Sequence, residues 1–414
     1  MKRANGGKRY NGAMHNDLSA LDAARLLGVS LPTLYSYVSR GLLASASNGA
    51  SRRKRYPREE VLRLAARKND AKRGGQAATA AMHWGLPVLE TQISHIFDGR
   101  LLYRGCDAAQ LAAHATLEAA AGLLWDDGAA DYFHQAQFAL PQGWLQSILA
   151  CAPDAPPLAR AMLVLPLLPQ YMSTPMHAPA DMLRCGPTLM RVLAAALLRT
   201  APSVLPLHRQ LAQAWSADPA QAELLRATLV LLADHELNAS TFAVRCVAST
   251  GASLPAALGA GLAALSGYRH GGGSAAARRM LSVALAAPDA RDAIGNFYTA
   301  TAPACAGFGH PLYPHGDPRA AHLLAILSAM AHGYPQLDAI LAACATASDL
   351  LEIKPNADLA LAAMELAFGW PEGAGMSVFA LARSAGWIAH AAEQAASAAL
   401  IRPRARYIGR HQRD

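Results

Sequence analysis

The chain has 414 residues, more than one compact hydrophobic core usually holds, so two or three domains are expected. Apolar residues make up 53% of it, and Ala and Leu dominate over β-branched and aromatic residues, which predicts an almost all-helical protein. The six cysteines stand singly without metal-ligand spacing, and the charged N-terminus has no apolar core behind it. These features disfavour a metal site, a disulfide framework and a secretory signal, and a cytoplasmic location is expected.

The formal charge of +8 is concentrated near the N-terminus. Residues 1–74 hold 16 Lys and Arg against 5 Asp and Glu, whereas the other 340 residues hold 21 against 24. Such a basic segment is typical of a solvated tail or of a surface that contacts nucleic acid. We treat residues 1–74 as a separate head, and the linker composition of residues 69–86 places a linker at 75–86.

The head has a folded pattern that a tail would lack. Asp17 is predicted to cap a first helix that ends at Gly28, and Ser30 to cap a second helix over 31–40. A third helix is predicted over 58–68, after a basic wing. This order of elements is typical of a winged helix-turn-helix.

Five segments of the head, namely Leu21–Ser30, Thr33–Val38, Arg40–Leu43, Arg52–Tyr56 and Glu59–Val61, resemble the MerR/excisionase class of winged helix-turn-helix domains. The resemblance implies that the second helix enters the major groove and that the wing contacts phosphate or the minor groove. The implied DNA contacts are Thr33, Tyr35, Ser36 and Arg40 on the helix, and Arg52, Arg53, Lys54 and Arg55 on the wing. The alternative is a three-helix docking module whose charges only solvate it.

Two stretches after the linker have a recognisable local pattern. Residues 90–105 are predicted to form two short strands joined by an Asp98-Gly99 turn. Residues 248–268 are uncharged and long enough to span a bilayer, but their Gly, Pro and Ser favour a buried helix packed through small residues. No membrane association is expected.

Three histidines and one aspartate stand in unusual local sequences: His235 in ADHELNAS, His270 in RHGGG, His310 in GFGHPLY and Asp358 in KPNAD. Glycines and a proline beside ionisable groups indicate backbone in special conformations, which is a common way to present a side chain in a pocket. The pattern therefore predicts an enzyme that performs acid–base chemistry.

Each of these residues also has a structural interpretation. His235 alone is typical of a packing histidine in an Ala-rich helix, and Asp358 after Pro355-Asn356 is a candidate helix cap. Four further histidines have no partner pattern and are assigned to the surface or to packing: His315, His332, His390 and His411.

From 86 to 409 the chain resembles the citrate synthase family nearly end to end. The resemblance depends on the hairpin, the four motifs above, and four further segments: Ser249–Ala252, Asp317–Ala320, Phe379–His390 and Arg402–Gly409. It implies a mainly α fold, with a large helical domain from 87–271 and 370–414. A small helical domain from 272–369 would close over the site and exclude water.

The resemblance also implies roles for the site residues. Asp358 is the base that removes a methyl proton from acetyl-CoA, and His270 is the donor that stabilises the resulting enol. His310 polarises the ketone of the acceptor acid, oxaloacetate by default. The catalytic residues are therefore His270, His310 and Asp358.

The carboxylates of the acceptor need fixed cations, for which arginine is better suited than lysine. The resemblance assigns acceptor binding to His235, Arg319, Arg383 and Arg402, with Arg402 reaching the other subunit's site in a homodimer. It implies no permanently bound cofactor and no metal, with acetyl-CoA or another acyl-CoA as substrate.

Three departures from the family pattern leave the substrates open. The usual HGGANE is here His270–Ala275 (HGGGSA), GHRVY is Gly309–Tyr313 (GHPLY), and FPNVD is Lys354–Asp358 (KPNAD). Propionyl-CoA or a different oxo acid therefore remains an alternative to acetyl-CoA and oxaloacetate. Arg278 and Arg279 either meet coenzyme A phosphates or only solvate a helix.

Two function classes follow from this fused organisation. In the first, the body is a working synthase and the head localises or regulates it. In the second, the chain is a DNA-binding transcription regulator whose body senses a CoA thioester or an oxo acid. Asp358 favours the enzyme, because a sensor gains little from a catalytic base.

Overall fold

The structure is a computed structural model that describes residues 17–27, 29, 34, 38, 43, 45–47, 54–58, 61, 89–126, 133, 140–172, 175–301, 307–397 and 399–403. The chain divides into two compact units, Met1–Leu89 and Glu90–Asp414. The predicted mainly α fold is confirmed for the second unit. The two units are described separately.

The first unit contains one described helix, α1 (Ala20–Leu27), and a three-stranded antiparallel sheet. Its strands are β1 (Asp17–Ser19), β2 (Ala46–Ser47) and β3 (Lys54–Pro57), in the order β1-β3-β2. Tyr56 of β3 is fully buried in a small core with residues of α1 and with Leu34 and Val61. The predicted wing is therefore the β2–β3 hairpin, whose inner side contributes to the core of the head.

The predicted cap of the first helix is wrong. Asp17 lies in β1, opposite Pro57, and the side-chain oxygen of Ser19 accepts the backbone N–H of Asp22 at 3.2 Å. The sheet pairs residues 17–19 with the wing, so the helix begins later than the amphipathic pattern suggested. Leu34 and Val38 in the predicted second helix, and Arg58 in the third, are helical; the rest of those two helices lies largely outside the described residues.

The second unit opens with a small antiparallel sheet of β4 (Ser94–Phe97), β5 (Arg100–Tyr103) and β6 (Cys106–Asp107). Asp98 and Gly99, with φ angles of 50° and 70°, form the turn between β4 and β5. Two successive residues at positive φ suit the right-handed twist of a tight hairpin. The predicted hairpin and its Asp-Gly turn are confirmed.

Helices make up most of the remainder of this unit. They are α2 (Ala108–Ala112), α3 (Leu117–Trp125), α4 (Trp144–Ala150), α5 (Pro157–Val164), α6 (Pro179–Leu198), α7 (Leu207–Ala214), α8 (Pro219–Leu231), α9 (Ala239–Ala248), α10 (Leu254–Leu265), α11 (Gly273–Ala286), α12 (Ala290–Thr301), α13 (Pro318–Met330), α14 (Gln336–Leu351), α15 (Ala357–Ala367) and α16 (Ala374–Ser397). A 3₁₀ segment, Leu165–Tyr171, follows α5.

The long helix α16 is buried along most of its length and forms the centre of the unit. It packs against α3, α6, α8, α9 and α10, while α11 to α15 pack mainly on one another. Small residues permit the closest approaches: a Cβ on Gly261 of α10 would lie 3.0 Å from the Trp387 ring of α16. The core therefore depends on helices that approach closely through glycine and alanine.

The uncharged stretch 248–268 is not the single buried helix that was predicted: Leu254, Leu258 and Leu262 are buried, but Tyr268 is 79% exposed. α9 ends at Ala248, residues 249–253 form a connection, and α10 runs from Leu254 to Leu265. Among the described residues, no helix combines the length and the apolar character that crossing a membrane requires.

Candidate active site

Asp358 lies in the first turn of α15, with its carboxylate against the start of α11. A Cβ placed on Gly273 would lie 2.4 Å from Asp358 Oδ2, so a side chain at that position would require the carboxylate to move. Asn356, not Asp358, caps α15, because its side chain accepts the Asp358 backbone N–H at 3.0 Å. The helix-cap interpretation of Asp358 is therefore wrong, because its carboxylate is not needed to cap α15.

The surroundings of Asp358 favour its neutral, protonated form more strongly than exposure to water would. Burial raises the pKa of Asp358 to about 6, while the positive charge of Arg319 and a hydrogen bond from the Ser274 backbone act in the opposite direction. A carboxylate with this pKa is mostly ionised at pH 7 yet is a better proton acceptor than an exposed aspartate. This is the combination that general-base chemistry requires.

His270 lies in the turn between α10 and α11, five residues beyond the end of α10 and not on a helix. A Cβ on the following Gly271 would lie 2.1 Å from the Leu265 carbonyl oxygen, so this glycine is needed for the tight turn. The turn places His270 three residues before Gly273. His270 and Asp358 are thus brought to the same end of α11.

Ser240 fixes the ring orientation of His270, since His270 Nε2 lies 2.8 Å from Ser240 Oγ. Ser240 Oγ also lies 2.8 Å from Asn238 Oδ1. The Ser240 hydroxyl donates to Asn238 Oδ1, so His270 Nε2 carries the ring proton and donates to Ser240 Oγ; if the hydroxyl turned to donate to Nε2, the proton would lie on Nδ1. Burial, with the charge of Arg383, lowers the pKa of His270 to about 4, so the ring is neutral at pH 7.

His310 follows a short bridge between residues 307–309 and 354–356. Gly309 donates its N–H to the Lys354 carbonyl at 2.8 Å, and Asn356 Nδ2 donates to the Gly309 carbonyl at 3.0 Å. His310 Nδ1 accepts the backbone N–H of Leu312 at 3.2 Å, which leaves the ring proton on Nε2. Because residues 354–356 lead into α15, this bridge holds His310 close to Asp358.

His235 is buried beside His310, with ring centroids 4.9 Å apart and planes at 79°. It lies in an irregular segment between α8 and α9, so the prediction of an Ala-rich helix at this position is wrong. His235 Nε2 lies 3.0 Å from the hydroxyl of Tyr313. Burial and the nearby charges of Arg319 and Arg383 lower the pKa of His235, and it is neutral at pH 7.

Arg319 is held by a buried carboxylate at the start of α13. Its Nε lies 3.0 Å from Asp317 Oδ1 and its Nη2 lies 2.8 Å from Asp317 Oδ2. This two-point contact raises the pKa of Arg319 despite its burial, and the guanidinium also lies 5.7 Å from the centre of the Tyr313 ring. Arg319 is therefore a fixed charge that does not titrate.

Arg383 of α16 is fully buried, and most of its hydrogen-bonding capacity is unused. Nε donates to the Leu232 carbonyl at 3.0 Å, but among the described residues Nη1 and Nη2 have no hydrogen-bond partner. Burial lowers the pKa of Arg383 to about 10, so the group is charged at pH 7. Buried donors without partners are costly unless something pairs with them, and a carboxylate suits a guanidinium edge.

We call His235, His310, Arg319 and Arg383 the histidine–arginine cluster. The positive charge of Arg383 acts on the pKa of His270, and that of Arg319 acts on the pKa of Asp358, so this cluster lies within electrostatic reach of the Asp358–His270 end of α11. Six of the seven predicted catalytic and acceptor residues therefore lie in this one region of the second unit.

Arg402, the seventh, lies elsewhere. Its side chain is exposed, and the segment that carries it is fastened to the end of α9, where the Ile401 backbone N–H donates to Ser249 Oγ at 3.1 Å.

Several residues that support the site were not predicted from the sequence. Ser240, Asp317 and Tyr313 stood in motifs already quoted but were given no role. His390, assigned to the surface or to packing, is fully buried with its Nε2 3.3 Å from Asp234 Oδ2. The partners lie in distant segments, so local sequence carries no signal for their pairing.

Of the predicted DNA contacts, Lys54 and Arg55 are exposed on β3. The other six lie outside the described residues: Thr33, Tyr35, Ser36, Arg40, Arg52 and Arg53. Within the described part of the chain, no group of three or more His, Cys, Asp or Glu side chains could hold a metal ion.

Known proteins are similar to this chain both in fold and in amino-acid sequence. The family described as citrate synthase, C-terminal domain, matches residues 81–404, and a helix-turn-helix domain family matches residues 18–69. The fold and the family match are those of a citrate synthase-like protein. The chain belongs to the citrate synthase family, and it carries a helix-turn-helix domain at its N-terminal end.

Individual relatives agree with this assignment. A citrate synthase of Mycolicibacterium smegmatis is 31% identical over 359 residues, which is 80% of this chain and 95% of the relative. Putative citrate synthase 2 of Mycobacterium tuberculosis (strain ATCC 25618 / H37Rv) is 37% identical over 199 residues, 46% of this chain. That match spans 52% of the relative, about half of its length.

Solved structures share the fold at low sequence identity. The crystal structure of citrate synthase from Thermotoga maritima has a TM-score of 0.66 at 23% identity, covering 80% of this chain and 96% of that one. Thermoplasma acidophilum citrate synthase, solved as a ternary complex with carboxymethyl coenzyme A and oxaloacetate, has a TM-score of 0.68 at 22% identity. It covers 80% of this chain and 96% of its own.

Proposed function

We propose that the protein condenses acetyl-CoA with oxaloacetate to give citrate and coenzyme A. The observation that carries the proposal is the position of Asp358, a carboxylate of raised pKa placed against Gly273 and close to His270. The family membership supports the substrates, as does the ternary complex of the Thermoplasma protein.

In the first step Asp358 accepts a proton from the methyl group of the thioester. The electrons left behind move onto the thioester oxygen, where an N–H of His270 stabilises them. This requires the Ser240 hydroxyl to turn from Asn238 Oδ1 to His270 Nε2, so that Nδ1 carries the ring proton. A neutral imidazole can donate a hydrogen bond from its N–H to this oxygen, as in other enzymes with neutral histidine electrophiles.

In the second step the methyl carbon forms a bond to the ketone carbon of the acceptor. The ketone oxygen becomes an alkoxide and takes the proton that His310 carries on Nε2. Arg319, Arg383 and His235 hold the acceptor's carboxylates, and the free Nη1 and Nη2 of Arg383 offer a two-point contact. Water then hydrolyses the citryl thioester and releases coenzyme A.

Water must be kept out until the carbon–carbon bond has formed. We propose that residues 272–369 form a small domain that closes on the large domain of 87–271 and 370–414. Gly369, at the end of this segment, has a φ of 61° that few other residues tolerate, which suits a connection between moving parts.

We further propose a homodimer in which Arg402 completes the other subunit's site. The exposed position of Arg402, outside the cluster in its own chain, agrees with that arrangement. No permanently bound cofactor is part of the scheme, and the cytoplasmic location stays a prediction.

The test is release of free thiol from acetyl-CoA in the presence of oxaloacetate, with propionyl-CoA and other oxo acids in parallel. Asp358→Asn is the control, because it keeps the shape of the side chain and removes the base. Thiol release from one thioester–acceptor pair that depends on Asp358 supports the proposal. No release with any acceptor would end it.

A second candidate function is regulation of transcription, with the body as a sensor of a CoA thioester or oxo acid. The exposed Lys54 and Arg55 on the wing strand favour it, together with the helix-turn-helix match. The test is binding of the full chain to its own upstream DNA at two salt concentrations. Phosphate contacts predict weaker binding at high salt, and absent or salt-insensitive binding would contradict them.

A further inference from the structure

Asp234 is a buried carboxylate directly before His235 that the reaction scheme does not use. Its Oδ2 accepts the hydroxyl of Ser94 and lies 3.3 Å from His390 Nε2, and the side chain is 0% exposed. A Cβ on Gly386 of α16 would lie 2.1 Å from Asp234 Oδ1. The carboxylate is therefore enclosed, with contacts to β4 on one side and α16 on the other.

His390 lies between two carboxylates. Its Nε2 points at Asp234, and its Nδ1 lies 3.9 Å from Glu393 Oε2, which in turn pairs with Arg245 at 2.9 Å. The His390 side chain is also 0% exposed. Replacing His390 would leave the buried Asp234 carboxylate without one of its hydrogen-bonding partners, which is costly in the protein interior.

Three successive residues of the segment before His235 are attached to α16. The Leu232 carbonyl accepts Arg383 Nε at 3.0 Å, the Ala233 carbonyl accepts the Gly386 backbone N–H at 3.0 Å, and the Asp234 carboxylate faces His390. Arg383 and His390 are seven residues apart and therefore on the same face of the helix. The next residue along the segment, His235, belongs to the histidine–arginine cluster.

We propose that Asp234 and His390 are positioning residues that lock segment 232–235 onto α16 and so set the geometry of His235 and Arg383 for the acceptor. The inference rests on the proposed function for the identity of the acceptor. Asp234 also supplies the nearby negative charge that favours the charged form of Arg383. Its loss weakens both the placement of His235 and the compensation of Arg383.

The experiment measures oxaloacetate binding by calorimetry, and KM for each substrate, in the full-length wild type, His390→Leu, His390→Gln and Asp234→Asn. Leu removes the donor, whereas Gln keeps an N–H near the position of Nε2. We expect Leu and Asn to weaken oxaloacetate binding roughly 10- to 100-fold, the range found when supporting partners of binding groups are lost. Gln restores most of the affinity, and KM for acetyl-CoA stays unchanged.

Glu118→Gln is the matched control for a lost carboxylate. Glu118 Oε1 accepts the Leu207 backbone N–H at 2.7 Å, in a part of the unit away from the site. We expect it to lower the melting temperature without changing oxaloacetate affinity. A loss of affinity in Asp234→Asn with no such loss in Glu118→Gln separates positioning from general destabilisation.

Two results would overturn the inference. One is a folded Asp234→Asn or His390→Leu protein that binds oxaloacetate as tightly as the wild type. The other is a His390→Gln protein as impaired as His390→Leu, since the hydrogen bond would then not matter. A wild type that binds oxaloacetate but releases no thiol would end the synthase proposal alone, and the binding comparison would still decide the positioning.

Discussion

The two sides of the candidate site differ in how their charges are held. Asp358 and His270 lie in places where burial moves their pKa values to about 6 and about 4, and each has few hydrogen-bond partners. In the histidine–arginine cluster, Arg319 is locked to a buried Asp317. The pKa of the base is thus tuned by its buried surroundings, whereas the charge of Arg319 is fixed in advance by its ion pair.

The substitution Asp358→Asn is expected to have the largest effect, and it tests whether the two sides of the site act separately. We expect kcat for thiol release to fall by roughly 10²- to 10⁴-fold, the usual contribution of a general base. Oxaloacetate affinity, measured by calorimetry, should stay at the wild-type value because the histidine–arginine cluster is intact. A parallel loss of oxaloacetate binding would show that the two sides are not separate.

The reverse experiment is Arg383→Gln, which removes the buried guanidinium and keeps a polar side chain. We expect oxaloacetate affinity to fall roughly 100-fold, within the range for breaking a buried charge pair. KM for acetyl-CoA should change little. Rescue of binding by Arg383→Lys would contradict the two-point contact, because lysine offers a single point charge.

Ser240→Ala tests the orientation of His270. Without the hydroxyl 2.8 Å from Nε2, nothing selects the tautomer that donates from Nδ1. We expect kcat to fall by about tenfold, the lower end of the range for lost supporting partners, with both KM values near those of the wild type. Ser240→Thr keeps the hydroxyl and is the matched control; equal losses in the two variants would rule out this role.

The smallest expected effect is a pH dependence. Asp358 acts as a base only when ionised, so kcat/KM should fall as the pH drops through about 6, its raised pKa. His270 and His310, with pKa values near 4, stay neutral over this range. Oxaloacetate affinity should stay flat between pH 5.5 and 8 because Arg319 and Arg383 stay charged. A midpoint near 4 in the rate profile would count against the burial of the base.

How far the sequence predicts this site depends on the distance over which each signal acts. The glycines around His270 and His310, and the Asp-Gly turn of the hairpin, determine the backbone conformation of only a few neighbouring residues. These features could therefore be predicted from the local sequence. The prediction that Asp17 caps the first helix is wrong because Asp17 pairs with Pro57, forty residues away, and this pairing decides where the helix begins. His390 was overlooked for the same reason, since its carboxylate partner lies in a different part of the chain.

The missing side chain at Gly273 has a consequence for how this protein can change. The family pattern has alanine at this position, and here the volume of that methyl group is occupied by the carboxylate of Asp358. A side chain at residue 273 and the carboxylate of Asp358 therefore compete for one volume, although the two residues are 85 positions apart in the chain. Any residue larger than glycine at this position requires the carboxylate to take a different place.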